Sequence, residues 1–279
     1  MNSLKTRLVA TALFCLLIQS VPFAALASNE AELYVGAESF TWREFGETGQ
    51  ILKESGPRYE LGFTNLHEFQ SQLTLKPRIE FFGGNVDYKG QACDLYGNCE
   101  PAKTTTHYGG EKFEIDLGKR VRASKSFILE PFGGLGLRSW YRSIDDSILA
   151  SGTFATGYTE NWQTLYGRLG VRAEQYFSKR DKISVEAGLK LPMSTSNYID
   201  DRNISYSSIT LHPKNRPSVF AEVGVKVNWF HISAYYDTMR FKQSDVVYQY
   251  DPFVGSYIGY LQPKSESDML GIRIGVDFY

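Results

Sequence analysis

The chain has 279 residues, 42% of them hydrophobic and 14% aromatic, and a formal net charge of −1. A near-neutral chain without a basic cluster has no electrostatic footprint for nucleic acid. Beyond the N-terminus no apolar run reaches the roughly 18 residues of a helical membrane span, so that class is excluded as well.

Residues 1–27 read as a secretory signal peptide. Lys5 and Arg7 form a basic start, Leu8 to Ile18 is almost wholly apolar, and Ala25-Leu26-Ala27 is a cleavage site that leaves Ser28 first. The rest, 28–279, shows no compositional break and reads as a single domain. Ten segments alternate apolar and polar residues with period 2, the mark of strands with two unlike faces. They lie near Glu32–Glu44, Arg58–Asn65, Gln72–Tyr88, Thr106–Ala123, Phe127–Arg142, Trp162–Phe177, Lys182–Met193, Ser218–Trp229, His231–Lys242 and Met269–Tyr279. Five long polar links are expected at Phe45–Pro57, Lys89–Thr105, Ser143–Asn161, Ser194–Pro217 and Gln243–Ser267. The links between them are short. Cys93 and Cys99, an even pair in an exported chain, are expected to form a disulfide in the second long link.

The polar parity is rich in glycine, including Gly36, Gly62, Gly134, Gly136, Gly188 and Gly271. Small residues suit the crowded interior of a narrow barrel better than a water-facing sheet. The same parity carries a balanced set of charges: Glu80, Lys112, Glu114, Asp116, Arg120, Glu130, Arg138, Arg168, Arg172, Glu174, Glu186, Lys190, Glu222, Lys226, Arg273 and Asp277. Inside a barrel these must pair, because a lone buried charge is costly. The fold class expected is therefore all-β: a transmembrane, antiparallel, up-and-down barrel of ten strands with a charge-filled lumen and an apolar, lipid-facing parity outside. Aromatics near segment ends (Tyr59, Trp140, Tyr141, Trp162, Tyr176, Phe177, Trp229, Phe230) are expected in the interfacial girdles.

The last strand, "LGIRIGVDFY", resembles the terminal strand of Gram-negative outer-membrane barrel proteins. That resemblance implies residence in the outer membrane and recognition of Ile274, Val276, Phe278 and Tyr279 by the barrel-assembly machinery. Lipid and lipopolysaccharide are the expected surroundings, and the barrel is expected to be a monomer without metal or cofactor. A packed ion-pair interior favours a structural, adhesive or narrow-conduit role exercised through the outer loops. The rival class is an enzyme, either a protease resembling the omptins or a lipid A or phospholipid hydrolase. Its candidate residues are Asp145-Asp146, Asp200-Asp201 and His212 in expected outer loops, and His231 with Ser233 on one parity. No motif of either enzyme class surrounds them, so no catalytic residue is assigned.

Overall fold

The computed structural model describes residues 28–93, 99–200, 208–251 and 255–278. Residues 1–27, read above as a signal peptide, residues 94–98 between the two cysteines, Asp201 and Tyr279 lie outside the described residues. The described chain is all strand and turn. Its ten long strands are β1 Ser28–Gly46, β2 Gly49–Glu68, β3 Leu73–Cys93, β4 Cys99–Lys119, β5 Phe127–Ile144, β6 Thr159–Tyr176, β7 Lys182–Asp200, β8 Ser218–Val227, β9 Phe230–Lys242 and β10 Lys264–Phe278. Each pairs antiparallel with its sequence neighbours, and β10 pairs with β1 from Ala31↔Phe278 to Phe45↔Lys264. The barrel is therefore closed, and no full-length edge remains to be satisfied.

One parity of every strand faces out and is apolar. Leu33, Val35, Leu61, Phe81, Leu117, Leu135, Leu169, Val185, Val223 and Ile272 are all exposed. In β10 the outward residues are Leu270, Ile272, Ile274, Val276 and Phe278, as the alternation requires. A belt of exposed large aliphatic residues running round a protein is expected where the solvent is hydrocarbon.

Four of the ten strands end in tight turns toward β3, β5, β7 and β9. Gln72 and Asn228 take left-handed backbone in two of them, with φ of 63° and 58°. Strand β4 stops at Lys119, short of the expected Ala123, and Val121–Arg122 pair separately with Leu129 and Ile128. Asp181 clamps two of the turns together. Its carboxylate accepts the Asn228 backbone N–H at 2.8 Å and the Ser178 hydroxyl at 2.8 Å. These bonds favour the ionised form and hold its pKa below the usual carboxylate value. A depressed folded pKa stabilises above the unfolded value of about 4, and that contribution is lost as pH falls through the folded one. Asp181→Ala should therefore lower the urea midpoint slightly at pH 7 and not at pH 2. An equal difference at both pH values would rule out the clamp.

At the opposite end the structure departs from the expected long loops. The segment Phe45–Pro57 contains only a two-residue turn, Glu47–Thr48, because β1 and β2 continue to Gly46 and from Gly49. Strands β3 and β4 run 21 residues each, about 70 Å along the chain, where nine to eleven residues suffice to cross a membrane. Their register places Cys93 opposite Cys99 at the far tip. The outer half of these strands meets water, so its outward residues are polar and the hydrophobic alternation disappears although the strand does not. We call this the extended end, and the other the turn end.

The wall has one seam there. Strand β8 begins only at Ser218, opposite Lys190, so β7 has no partner on that side until Asn197 meets Leu211. Residues Lys214–Arg216 pair with β9 instead. The seam is closed by side chains: Asn215 donates to the Met193 carbonyl at 3.0 Å, and His212 Nδ1 lies 3.3 Å from that of Thr195.

Three of the inward glycines have a common cause. Tyr34 is the register partner of Gly62, Tyr166 of Gly136 and Tyr235 of Gly271. In each pair the ring lies flat across the glycine, and an added Cβ at Gly136 would stand 2.4 Å from the Tyr166 ring. The hydroxyl then reaches a carboxylate, Glu114 at 2.7 Å for Tyr166 and Glu80 at 3.0 Å for Tyr34. Gly136→Ala should therefore cost about 1–3 kcal/mol, the usual penalty of overpacking, read from the urea midpoint of the refolded barrel. Gly133→Ala on the same strand has its nearest neighbour at 3.4 Å and should cost far less.

Candidate functional site

The lumen concentrates most of the buried charged side chains of the described residues, and it is layered from the turn end outward. The first layer is a small cavity of about 70 Å³, lined by Glu30, Glu32, Lys182, Lys226, His231 and Asp277 among others. Its charges are matched: Lys182 contacts Glu30 and Glu174 at 2.6 Å each, Lys226 contacts Asp277 at 2.7 Å, and His231 Nδ1 lies 2.9 Å from Glu32.

Above it the charges form a continuous belt. Arg120 binds Glu68, Glu130 and Glu174 at 2.9–3.2 Å. Arg172 binds Asp116, Glu130 and Glu186, while Arg168 binds Glu114, Asp116 and Glu186. Lys112 meets Glu80 at 2.7 Å, and Lys190 meets Asp237. Two of the charges expected to pair stand apart from this pattern. Arg273 does not pair with the strands that flank β10. Its register partners, Gly36 and Ser233, are too small to meet it, so its guanidinium crosses the lumen to Glu60, Glu80 and Glu222 on β2, β3 and β8. Arg138 has no ion pair among the described residues. It lies over the Phe82 ring at 4.4 Å and near Trp140 at 5.8 Å, with Nη1 3.2 Å from the Met269 sulfur. Cation–π attraction takes the place of a carboxylate there.

Arg138 marks the start of a layer that periodicity did not disclose. Phe40, Trp42, Tyr108, Trp140, Trp162, Met239, Phe241 and Met269 fill the lumen as one buried cluster. Trp140 and Trp162 stack with centroids 5.4 Å apart, and Trp162 meets Trp42 edge-on at 5.2 Å and Phe241 at 5.4 Å. Trp140 and Trp162 were expected in the outer girdle. Both sit on the inward parity and are buried, whereas Tyr59, Tyr141, Phe177, Trp229 and Phe230 are exposed as expected. Tyr176 also turns inward, donating to Glu174 at 3.0 Å. Arg58 closes the layer's edge, 3.7 Å over Phe40 and paired with Glu38.

Beyond the rings is a second polar lock. Arg142, fully buried, contacts Glu54 at 2.8 Å, Glu160 at 2.9 Å and Glu44 at 3.4 Å. The indoles beneath donate upward, Trp42 to Glu44 at 2.9 Å and Trp162 to Glu160 at 2.8 Å. Thr106 and Tyr108 both donate to Glu54. Gln262 caps the assembly by donating to Glu44 at 3.2 Å and accepting from Asn197 at 2.9 Å. Glu54 and Glu160 lie in segments expected to be loops and were not singled out. The signal was present only as polar residues spaced by two from the strand proper.

The enzyme candidates are scattered by the same geometry. His212 serves the seam. Asp146 accepts from the Gly157 N–H at 2.7 Å. His231 faces Glu32 at the turn end, and the Ser233 hydroxyl, though buried, has no hydrogen-bond partner among the described residues. His107 lies on β4 and points outward between Asn85 at 2.8 Å and Asp145 at 3.0 Å.

A closed, ten-stranded antiparallel barrel with an apolar outer belt defines the outer-membrane class of β-barrel. Solved structures agree at the level of fold. The outer-membrane protease OmpT from Escherichia coli superposes with a TM-score of 0.62 at 12% identity, over 93% of this chain and 99% of that one. The translocator domain of the autotransporter NalP from Neisseria meningitidis gives 0.45 at 14%, over 99% and 98%. No protein-family model and no curated relative matches the sequence.

Proposed function

We propose that this chain is an integral outer-membrane barrel with a closed lumen, acting from its extended end in a structural or adhesive role. In this reading the turns face the periplasm and the extended end stands outside the cell. The final strand, with Ile274, Val276 and Phe278 outward, serves the assembly machinery, and a Cys93–Cys99 disulfide ties the tip of the β3–β4 hairpin. The observation that carries the reading is the pair of seals in series: rings packed across the lumen, and an ion-paired belt beneath them. An ion crossing the barrel would have to displace both.

Planar-bilayer recording of the refolded protein tests it. The expected record is flat at voltages that open conducting barrels, with insertion verified by heat-dependent gel mobility. Step-like currents from the native chain would end the closed-lumen reading. The likeness to OmpT favours a protease as the second reading, but at this identity it speaks for fold. That reading requires peptide turnover by the purified barrel that is lost in His107→Ala or His212→Ala.

A further inference from the structure

The outer wall of the extended end carries one row of register partners that joins seven strand segments. It runs Lys103–Lys89–Lys53–Arg43–Glu266–Arg240–Arg216, each residue directly opposite the next. Six are cations and one is a carboxylate. At about 4.8 Å per strand the row is roughly 30 Å long. Like charges directly opposite one another destabilise a sheet, and here four cations follow in succession from Lys103 to Arg43.

The fold supplies little to offset this. Lys53, Lys89 and Lys103 are exposed, with no ion pair among the described residues. Asp87 shares their face, but its register partner is Ser55. Arg43 touches Asp268, yet its Nε is buried without an acceptor. Arg240 pairs with Asp268 too, and Arg240 and Arg216 share Glu266, so the unmatched charge lies at the lysine end of the row.

The row also rises from the apolar belt. On β9 and β10 it stands four residues, about 13 Å, beyond the last apolar positions, Tyr236 and Leu270. On β4 it stands ten residues, about 33 Å, beyond Phe113. A ligand that fits must have acyl chains level with the belt, anionic groups at the lipid surface, and further anionic groups outward.

We propose that this row is a docking track for lipopolysaccharide of the surrounding leaflet, resting on the outward orientation given above. The phosphates of its diglucosamine engage Arg216, Arg240 and Arg43. The carboxylates and phosphates of its inner saccharide engage Lys53, Lys89 and Lys103.

The test titrates the full refolded barrel in neutral detergent with intact lipopolysaccharide, dephosphorylated lipopolysaccharide and soluble dextran sulfate. The Lys53→Gln, Lys89→Gln, Lys103→Gln triple variant should bind intact lipopolysaccharide about a hundredfold more weakly, at roughly fivefold per charge. A Lys125→Gln, Lys179→Gln variant at the turn end should bind as the native chain does. Binding of native barrel should weaken with salt and with removal of phosphate. Unchanged affinity of the triple variant, with its folding verified by gel mobility, overturns the track. So does equal affinity of the native barrel for the dephosphorylated form. Dextran sulfate binding as tightly as lipopolysaccharide would reassign the row to a soluble polyanion and overturn the lipid source. Bilayer currents bear on the closed lumen alone, so the two proposals fail separately.

Discussion

Arg142→Met is expected to destabilise the barrel by about 3–5 kcal/mol, the range for removing one partner of a buried ionic cluster. The substitution keeps most of the side-chain volume, so the loss is electrostatic. It leaves Glu44, Glu54 and Glu160 buried at the extended end with no cation among them. The indole, phenol and hydroxyl donors around them satisfy oxygen lone pairs but carry no charge. Urea unfolding of the refolded protein, followed by tryptophan fluorescence and gel mobility, reads the effect. Adding Glu54→Gln to Arg142→Met should recover part of the loss, because the carboxylate that Arg142 contacts at 2.8 Å is then neutral. A double-mutant cycle with no coupling between the two positions would mean that the cluster does not act as a unit.

Trp162→Ala should be about as severe, at about 3–5 kcal/mol for a large buried ring. It removes contacts with Trp42, Trp140 and Phe241 and takes the indole donor from Glu160. Trp162→Phe separates these contributions: it keeps most of the packing, drops the donor, and should cost about 1–3 kcal/mol. Equal losses for the two variants would place the whole effect in the hydrogen bond. The Trp42→Ala, Trp162→Ala, Phe241→Ala triple variant should lose less than the sum of its parts, since the rings touch one another. In a planar bilayer it should still pass no steady current, because the belt of Arg168, Arg172, Arg120 and their carboxylates remains. A conducting triple variant would show that the rings are the sole seal.

The adhesive or structural role draws its plausibility from how much of the barrel projects beyond the apolar belt, and that projection was the feature least legible in sequence. Residues 45–57 carry Gly46, Gly49, Gly56 and Pro57 and no apolar alternation, which reads as a loop. The structure threads them into β1 and β2 around a two-residue turn. Period-2 hydrophobicity reports a strand only where its two faces meet different media. Past the belt both the wall's outer face and part of its lumen are polar, so the signal fades while the hydrogen-bond ladder continues. Trp140 and Trp162 show the same limit. Their position near strand ends suggested a girdle, although their parity, shared by Trp140 with Arg138 and Arg142 and by Trp162 with Arg168 and Arg172, already pointed inward.

The sequence by itself determined the membrane-crossing part of the ten strands, their number, and which parity of each faces out. These follow from local alternation, which the pleat converts directly into two faces. It also determined that the lumen is charged and balanced. Only the tertiary structure decided which charges meet. Arg273 crosses the lumen because Gly36 and Ser233 leave room beside it, and Arg138 rests on rings instead of a carboxylate. Likewise only the register placed tyrosines over glycines and set Lys103, Lys89, Lys53 and Arg43 in one row. Pairings across a barrel depend on the stagger between strands far apart in the chain, and no local pattern encodes that stagger.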